Sequence, residues 1–491
     1  MTPILEGLSL LGPQTFLYMM IGIVVSTIIV IIPGLGGLFA LAVLLPFAFQ
    51  LEPAQGIAML VAASTVSGTG NTITSVLFGV PGSPGGVATI LDGYPMARRG
   101  EGARAVAAGI GASVVGGLIG AVFLAALLPV MRPLVLALGS PEFFVLILIA
   151  LIFMAYVGQG SLLRSLVAGG IGLMLSFVGL EQSTGTTRYT FGQLYLWDGI
   201  QLVPLMIGLF AIAEMFELMK QGGSIAQSGS RTDMRGQVSR GLRDVFHHWK
   251  STLRSSVTGL WVGIAPGMGD AAAQFIAYSQ EARASKTPER FGTGMVEGVI
   301  ASDAATNSKE GGALIPTLAF GIPGSSSMAV LLAAFVTFGI RPGADMLVSN
   351  INIVWMIIWI LVIGNVIAGL LCLSFIRPFA RLTTVRASVL VPPILIISLF
   401  GAYATTYNVG DVWVALAFGL VGYLMKVYGY SRATLLIGFV LGELLERNYL
   451  LSMRLFGLDF LRRPITMGLL IGAVVILAWP LVKRTWRSLR R

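Results

Sequence analysis

Gly79-Val80-Pro81-Gly82-Ser83 and Gly321-Ile322-Pro323-Gly324-Ser325 place one helix-breaking, hydroxyl-bearing pentapeptide twice inside apolar sequence. Pro lacks an amide hydrogen and clashes with the preceding turn, so no single straight helix runs through either stretch. Two arms meeting at a tip satisfy the pattern: a re-entrant hairpin over 68–92, and another from Asn307 to Phe335. Such tips direct backbone N–H groups at helix N-termini, which favour anions. The hydroxyls add donors without fixed charge. Two tips approaching from opposite sides would build a midplane carboxylate site. The candidate substrate-binding residues are Asn71, Thr72, Gly82, Ser83, Asn307, Gly324, Ser325, Ser326 and Ser327. The plainer alternative is two loops at the membrane surface.

Ionisable residues inside apolar sequence are functional candidates by default. Asp270, Glu297, Asp303, Lys309 and Glu310 fall near the second hairpin. Asp303 sits in the small, oxygen-rich run Ser302-Asp303-Ala304-Ala305-Thr306-Asn307-Ser308, suited to a Na⁺ ion or a proton. Asp303 and Asp270 are therefore the candidate cation-coupling residues, with Na⁺ placed near Asn71 and Asn307. Lys309 and Glu310 also read as paired charges at a segment end. The pairs Glu214/Glu217 and Glu443/Glu446 read as solvated interfacial faces. Gly267-Met268-Gly269-Asp270 matches one motif of intramembrane aspartyl proteases, but no Tyr-Asp dipeptide supplies the second aspartate. A serine protease using Ser325–Ser327 needs a membrane-embedded histidine base. The two histidines, His247 and His248, lie in hydrophilic sequence, so enzymatic chemistry is not expected. Cys372 is the sole cysteine and offers neither an intrachain disulfide nor a Cys-based metal site.

The elements that position these residues belong to a membrane. Of 491 residues, 55% are hydrophobic and 11% charged, and the mean hydropathy is +0.86. Soluble domains carry roughly a quarter charged residues. The net charge of +10 falls in short loops between apolar segments, as cytoplasmic loops require, and does not mark a nucleic-acid surface. Residues 220–254 hold seven Lys/Arg against two acids, and should be a cytoplasmic loop. The basic tail Lys483–Arg491 puts the C-terminus on the same side.

Three motifs recur in the same order. Pro33-Gly34-Leu35-Gly36 answers Pro266-Gly267-Met268-Gly269, the Pro-Gly-Ser tips answer each other, and Leu205–Phe210 answers Leu435–Val440, all roughly 230–240 residues apart. Residues 1–97 contain no Lys or Arg, whereas the second half starts from the basic loop, so the halves should cross in opposite senses. The expected fold is an all-α polytopic membrane protein of two inverted repeats with paired re-entrant Pro-Gly hairpins, plus a C-terminal transmembrane helix. Its parts are a first repeat (1–219), the loop (220–254), a second repeat (255–455), and the final helix and tail (456–491). Within the repeats, separate apolar segments are expected at 55–69 and 74–91, at 294–308 and 311–323, and one at 255–280.

The stretches Gly79–Ser83, Ala88-Thr-Ile-Leu-Asp-Gly-Tyr-Pro-Met-Ala97, Pro266–Gly269, Phe291-Gly-Thr-Gly-Met-Val-Glu-Gly298 and Gly321–Ser325 resemble the TctA family, the large membrane subunit of tripartite tricarboxylate transporters. The likeness spans roughly 15–455. It implies a binding-protein-dependent secondary transporter in a bacterial inner membrane, importing a small di- or tricarboxylate on a Na⁺ or H⁺ gradient. It also implies two partners, a TctB-like small membrane subunit and a TctC-like periplasmic binding protein. A homodimer is compatible with it, and an elevator-like movement of the hairpins is expected. Ala63-Ser-Thr-Val-Ser67 and Gly79-Val80 depart from the commoner family pattern beside the proposed site, so the substrate need not be citrate. A channel and a non-transporting scaffold are the remaining alternatives.

Overall fold

The computed structural model describes residues 2–32, 34–81, 86–157, 161–181, 185–221, 236–376, 378 and 387–473. The central basic stretch 222–235, the tip residues 82–85 and the end of the chain from 474 lie outside the described residues. Helices dominate, and the described strands are one short antiparallel pair, β1 (Gly179–Leu180) with β2 (Thr187–Arg188). Six helices are long and apolar enough to cross a membrane among the described residues.

The first half opens with α1 (Pro3–Ser9), α2 (Pro13–Ile31), α3 (Gly37–Ala48), α4 (Pro53–Phe78), α5 (Val87–Arg98) and α6 (Gly102–Leu136). It continues with α7 (Ser140–Val157), α8 (Leu162–Ser176) and α9 (Leu202–Lys220), the last containing a π-helical turn at Ile207–Ile212. The second half has α10 (Gln237–His247), α11 (Trp249–Ile264), α12 (Gly269–Ala284), α13 (Val296–Phe320), α14 (Ser326–Thr337) and α15 (Ile351–Ser374). Then come α16 (Ala387–Thr406), α17 (Val409–Val427), α18 (Arg432–Phe456) and α19 (Pro464–Ala473).

The two halves break their helices at the same places for the same reasons. Ile32 and Ala265 each precede a proline in sequence, and each leaves the helical region with ψ 116°. Crowding by the proline ring excludes the α conformation one residue earlier. Gly34 (φ 87°) and Gly267 (φ 78°) then turn the chain into α3 and α12. The long helices α4 and α13 end on Gly79 (φ 64°) and Gly321 (φ 65°), left-handed caps that favour glycine.

Three expectations about segments are corrected here. Segments 55–69 and 74–91 are not separate: α4 runs unbroken to Phe78, through Gly68 and Gly70. Likewise 294–308 and 311–323 form the single helix α13. Segment 255–280 is two helices, because Pro266 divides it. Part of the expected central loop is also helical, since α10 packs on α6, where Arg104 pairs with Asp244 (2.7 Å).

Two bundles result. In the first, α2 packs on α4, α11 packs on α13, and α6 and α15 complete the enclosure. Residues 56–76 of α4 and 298–319 of α13 are buried without interruption, although both stretches are rich in Ser, Thr and Asn. Polar helices of this kind persist in a membrane only when protein surrounds them. In the second bundle the halves are exchanged: α8 packs on α18, and α17 packs on α9. The repeated Leu/Ile-Gly motif makes both contacts. A side chain at Gly438 would meet the Gly169 carbonyl of α8, and one at Gly208 the Ala415 carbonyl of α17. The outer faces of α8, α16 and α17 carry exposed Leu163, Met174, Val389, Phe400 and Trp413, a lipid-facing surface.

Candidate functional site

Four helix starts surround one cavity of ≈ 710 Å³. They are Gly36–Gly37 (α3), Gly269–Ala271 (α12), Ser325–Ser327 (α14) and Ser431–Thr434 (α18). Pro81, beside the first tip, and Ser67 of α4 complete the lining near them. First turns have amide hydrogens with no intrahelical acceptor and carry the positive end of the helix dipole. The helix starts that follow Gly34 and Gly267, and the one that follows the second tip, are far apart in sequence and therefore present donors to one polar space. The tip and break of the second half are tied directly, since Gly267 N donates to the Gly324 carbonyl (3.1 Å).

Charge is placed on two sides of this space. On one side Lys309, 1% exposed, donates to Asp270 and to Glu310 Oε1 (2.8 Å). The Lys309 ammonium neutralises the carboxylate that Asp270 brings into the first turn of α12. On the other side, Lys426 Nζ donates to Glu214 Oε2 (2.8 Å). Arg432 donates to Glu214 Oε1 (3.1 Å) and to the Leu209 carbonyl (3.1 Å), with its guanidinium over the Phe210 ring. Glu214, Lys426 and Arg432 all line the cavity. Glu214 is thus a half-buried counter-ion at the cavity, and the expectation of a solvated interfacial face is corrected for it. The expectation for Lys309 and Glu310 is half right: they are paired, but inside α13 and not at its end.

The residues proposed from sequence separate into three places. Ser326 and Ser327 line the cavity half-buried. Ser325 lines it too, but its Oγ caps α14 by accepting from Met328 N (3.3 Å). Gly324 lies behind them, its amide near Thr317 Oγ1 (3.4 Å). Asn307 sits deeper, donating to Thr69 Oγ1 (2.9 Å) and Asn365 Oδ1 (2.8 Å), a brace between α13, α4 and α15. Asn71 and Thr72 are buried in the interior of α4, away from its tip. Asp303 is buried between α13, α5 and α6, accepting from Thr89 Oγ1 (3.0 Å). Gly82 and Ser83 lie outside the described residues. Among the described residues, no group of three His, Cys, Asp or Glu side chains could hold a metal ion.

Sequence reading missed Arg432, Lys426 and Ser431. Their signal was present as basic residues at the ends of an apolar segment, but such residues ordinarily mark an interface. The role of Asp92 was also unread. Its Oδ1 accepts from the amides of Gly292 (2.9 Å), Gly294 (2.7 Å) and Met295 (2.8 Å), and its Oδ2 from the Tyr278 hydroxyl (2.8 Å). The Asp-Gly-Tyr-Pro and Phe-Gly-Thr-Gly stretches are therefore one clasp. Arg99 closes it from outside by donating to the carbonyls of Thr293 (2.9 Å) and Gly294 (2.5 Å).

Apolar helices facing outward and polar helices enclosed, with a donor-lined cavity where the two bundles adjoin, define a multi-pass membrane protein. The chain belongs to the tripartite tricarboxylate transporter TctA family, whose model matches residues 16–437. A protein of Agrobacterium vitis described as an uncharacterized 52.8 kDa protein in the TAR-I ttuC' 3' region is 33% identical over 479 residues, covering 96% of this chain and 95% of that protein. A second from the same organism, in the TAR-II ttuC' 3' region, is 36% identical over 223 residues, 45% of this chain and 92% of its own length. No solved structure matches the chain.

Proposed function

We propose that the chain is the large permease subunit of a secondary transporter that imports a small di- or tricarboxylate on a cation gradient. The observation that carries this reading is the convergence of four helix N-termini on one cavity. Such a site suits a flexible anion with several carboxylates, because each group meets its own set of amides. Ser326 and Ser327 add hydroxyl donors, and Ser83, which matches Ser325 in sequence position, is assigned a further tip hydroxyl. Arg432 and Lys426 are held by Glu214 in this conformation, and an entering carboxylate competes with Glu214 for them.

The matched helix breaks, together with the opposed charge bias of the halves, support an inverted repeat with re-entrant hairpins. The exchanged helices of the second bundle suit a fixed frame, against which the first bundle carries the tips. We assign the frame to a bacterial inner membrane, with the basic loop and C-terminal tail in the cytoplasm. The partners are a small membrane subunit and a periplasmic binding protein, as the family description of a tripartite transporter suggests. Na⁺ or H⁺ supplies the driving force.

The test is uptake of a panel of labelled carboxylates into proteoliposomes containing the chain and its partner subunits, with and without Na⁺. Saturable, gradient-dependent uptake supports the carrier. Non-saturating flux points to a channel, and no flux under any condition to a scaffold.

A further inference from the structure

Asp303 lies outside the cavity and is 1% exposed. Among the described residues no Lys, Arg or His makes an ion pair with it. Of the ionisable groups on the elements around it, Tyr94 and Arg98 of α5 and Arg132 of α6 are exposed, and the others are engaged. α4 has none. On α5, Asp92 is clasped by the loop amides and by Tyr278 of α12. On α6, Arg104 pairs with Asp244. On α13, Lys309 and Glu310 pair with each other and, through Lys309, with Asp270, and Glu297 faces His248 (3.6 Å).

The Asp303 Oδ2 atom is buried without a hydrogen bond. A side chain at Gly109 of α6 would meet both the Oδ2 atom and the Thr72 methyl group, so α6 closes over the carboxyl beside Thr72. An isolated buried carboxylate is strongly disfavoured. A proton on Oδ2 removes that penalty by neutralising Asp303.

A metal cation fits less well. Membrane Na⁺ sites draw on carbonyls freed by unwound helices. At Asp303, however, α4, α6 and α13 are continuous, and Gly109 closes over Oδ2. A proton needs no such ligands.

We infer that Asp303 is held as the neutral acid in this conformation and is the group that carries the coupling proton. The proton is taken from hydronium or water, which leaves water or hydroxide behind. The inference rests on the reading of the chain as a gradient-driven carrier.

Its test has two arms. In infrared difference spectra of the full chain in lipid, a pH step should change the carbonyl band of a protonated carboxylic acid. That band should be absent in Asp303→Asn and unmoved by Na⁺. Retention of the band in Asp303→Asn, or its loss on adding Na⁺ at constant pH, overturns the inference. In the second arm, proteoliposomes of the complete transporter receive a pH gradient without Na⁺. Asp303→Asn should still exchange a labelled carboxylate across the membrane but lose accumulation, its inside-to-outside ratio falling to unity. Wild-type-like accumulation by Asp303→Asn overturns the inference. If no carboxylate moves even in wild type while the infrared band behaves as expected, the transport reading has failed and the protonation has not.

Discussion

Arg432 shows how much a single residue's meaning depends on its neighbours. It stands at the start of α18, so its guanidinium and the amides of that first turn address the same cavity. A charge-assisted hydrogen bond contributes about 1.5–3 kcal/mol. Arg432→Ala should therefore raise the KM for the transported carboxylate by roughly ten- to a hundred-fold. Arg432→Lys should recover part of this loss, and concentration-dependent uptake measures both. Lys309 acts differently, because it does not line the cavity and is enclosed by two carboxylates. Removing one partner of a buried ion pair costs about 3–5 kcal/mol. Lys309→Met should lower the unfolding temperature in detergent, and adding Glu310→Gln should restore part of it, because the unpartnered charge is then removed. Thermal unfolding followed by tryptophan fluorescence checks both variants.

At the scale of elements, small residues set how close helices come. The Leu/Ile-Gly motif was recognisable as a repeat before anything was known of its neighbours. The reason for its glycine lies in another segment: at Gly438 any side chain would collide with the backbone of α8. Overpacking of this kind costs about 1–3 kcal/mol or more. Gly438→Leu should separate α8 from α18 and reduce the yield of folded protein, whereas the same change at Gly170, where no atom lies within 4 Å, should be tolerated. Size-exclusion profiles of the two variants make the comparison. The continuity of α4 belongs to this scale too. Its run of Ser, Thr, Gly and Asn reads locally as a break, because these residues form helices poorly in water. Burial against α2 and α13 leaves its backbone no partner but itself, and the helix continues.

At the scale of the molecule, the two bundles meet through few elements. α3 packs on α9 and α16, and α14 packs on α18. If the first bundle carries substrate past the second, those contacts must slide. A β-carbon placed at Gly401 of α16 would lie 3.3 Å from Pro46 Cβ of α3, close to disulfide geometry. Pro46→Cys with Gly401→Cys, on a Cys372→Ala background, should form a disulfide that stops uptake until a reductant is added. Uptake unaffected by complete cross-linking would place the moving parts elsewhere.

Membrane class and the helix ends at Gly79 and Gly321 were legible in the sequence, because each follows from local physics. Apolar runs need lipid, and glycine takes the left-handed cap. The motif that joins Asp92 to the Gly292–Met295 loop was legible as a pattern but not as a bond, since its halves are some two hundred residues apart in sequence. The cavity's composition was only half legible. Ser326 and Ser327 declared themselves through the tip, whereas Arg432, Lys426 and Glu214 resembled ordinary interfacial charges until the exchange of α8 and α18 brought them inward. Sequence alone determined that the chain must meet lipid and that its helices end at the two Gly-x-Pro-Gly stretches. Tertiary structure decided which breaks face one another, because long-range packing of the two halves leaves no periodic trace in either segment.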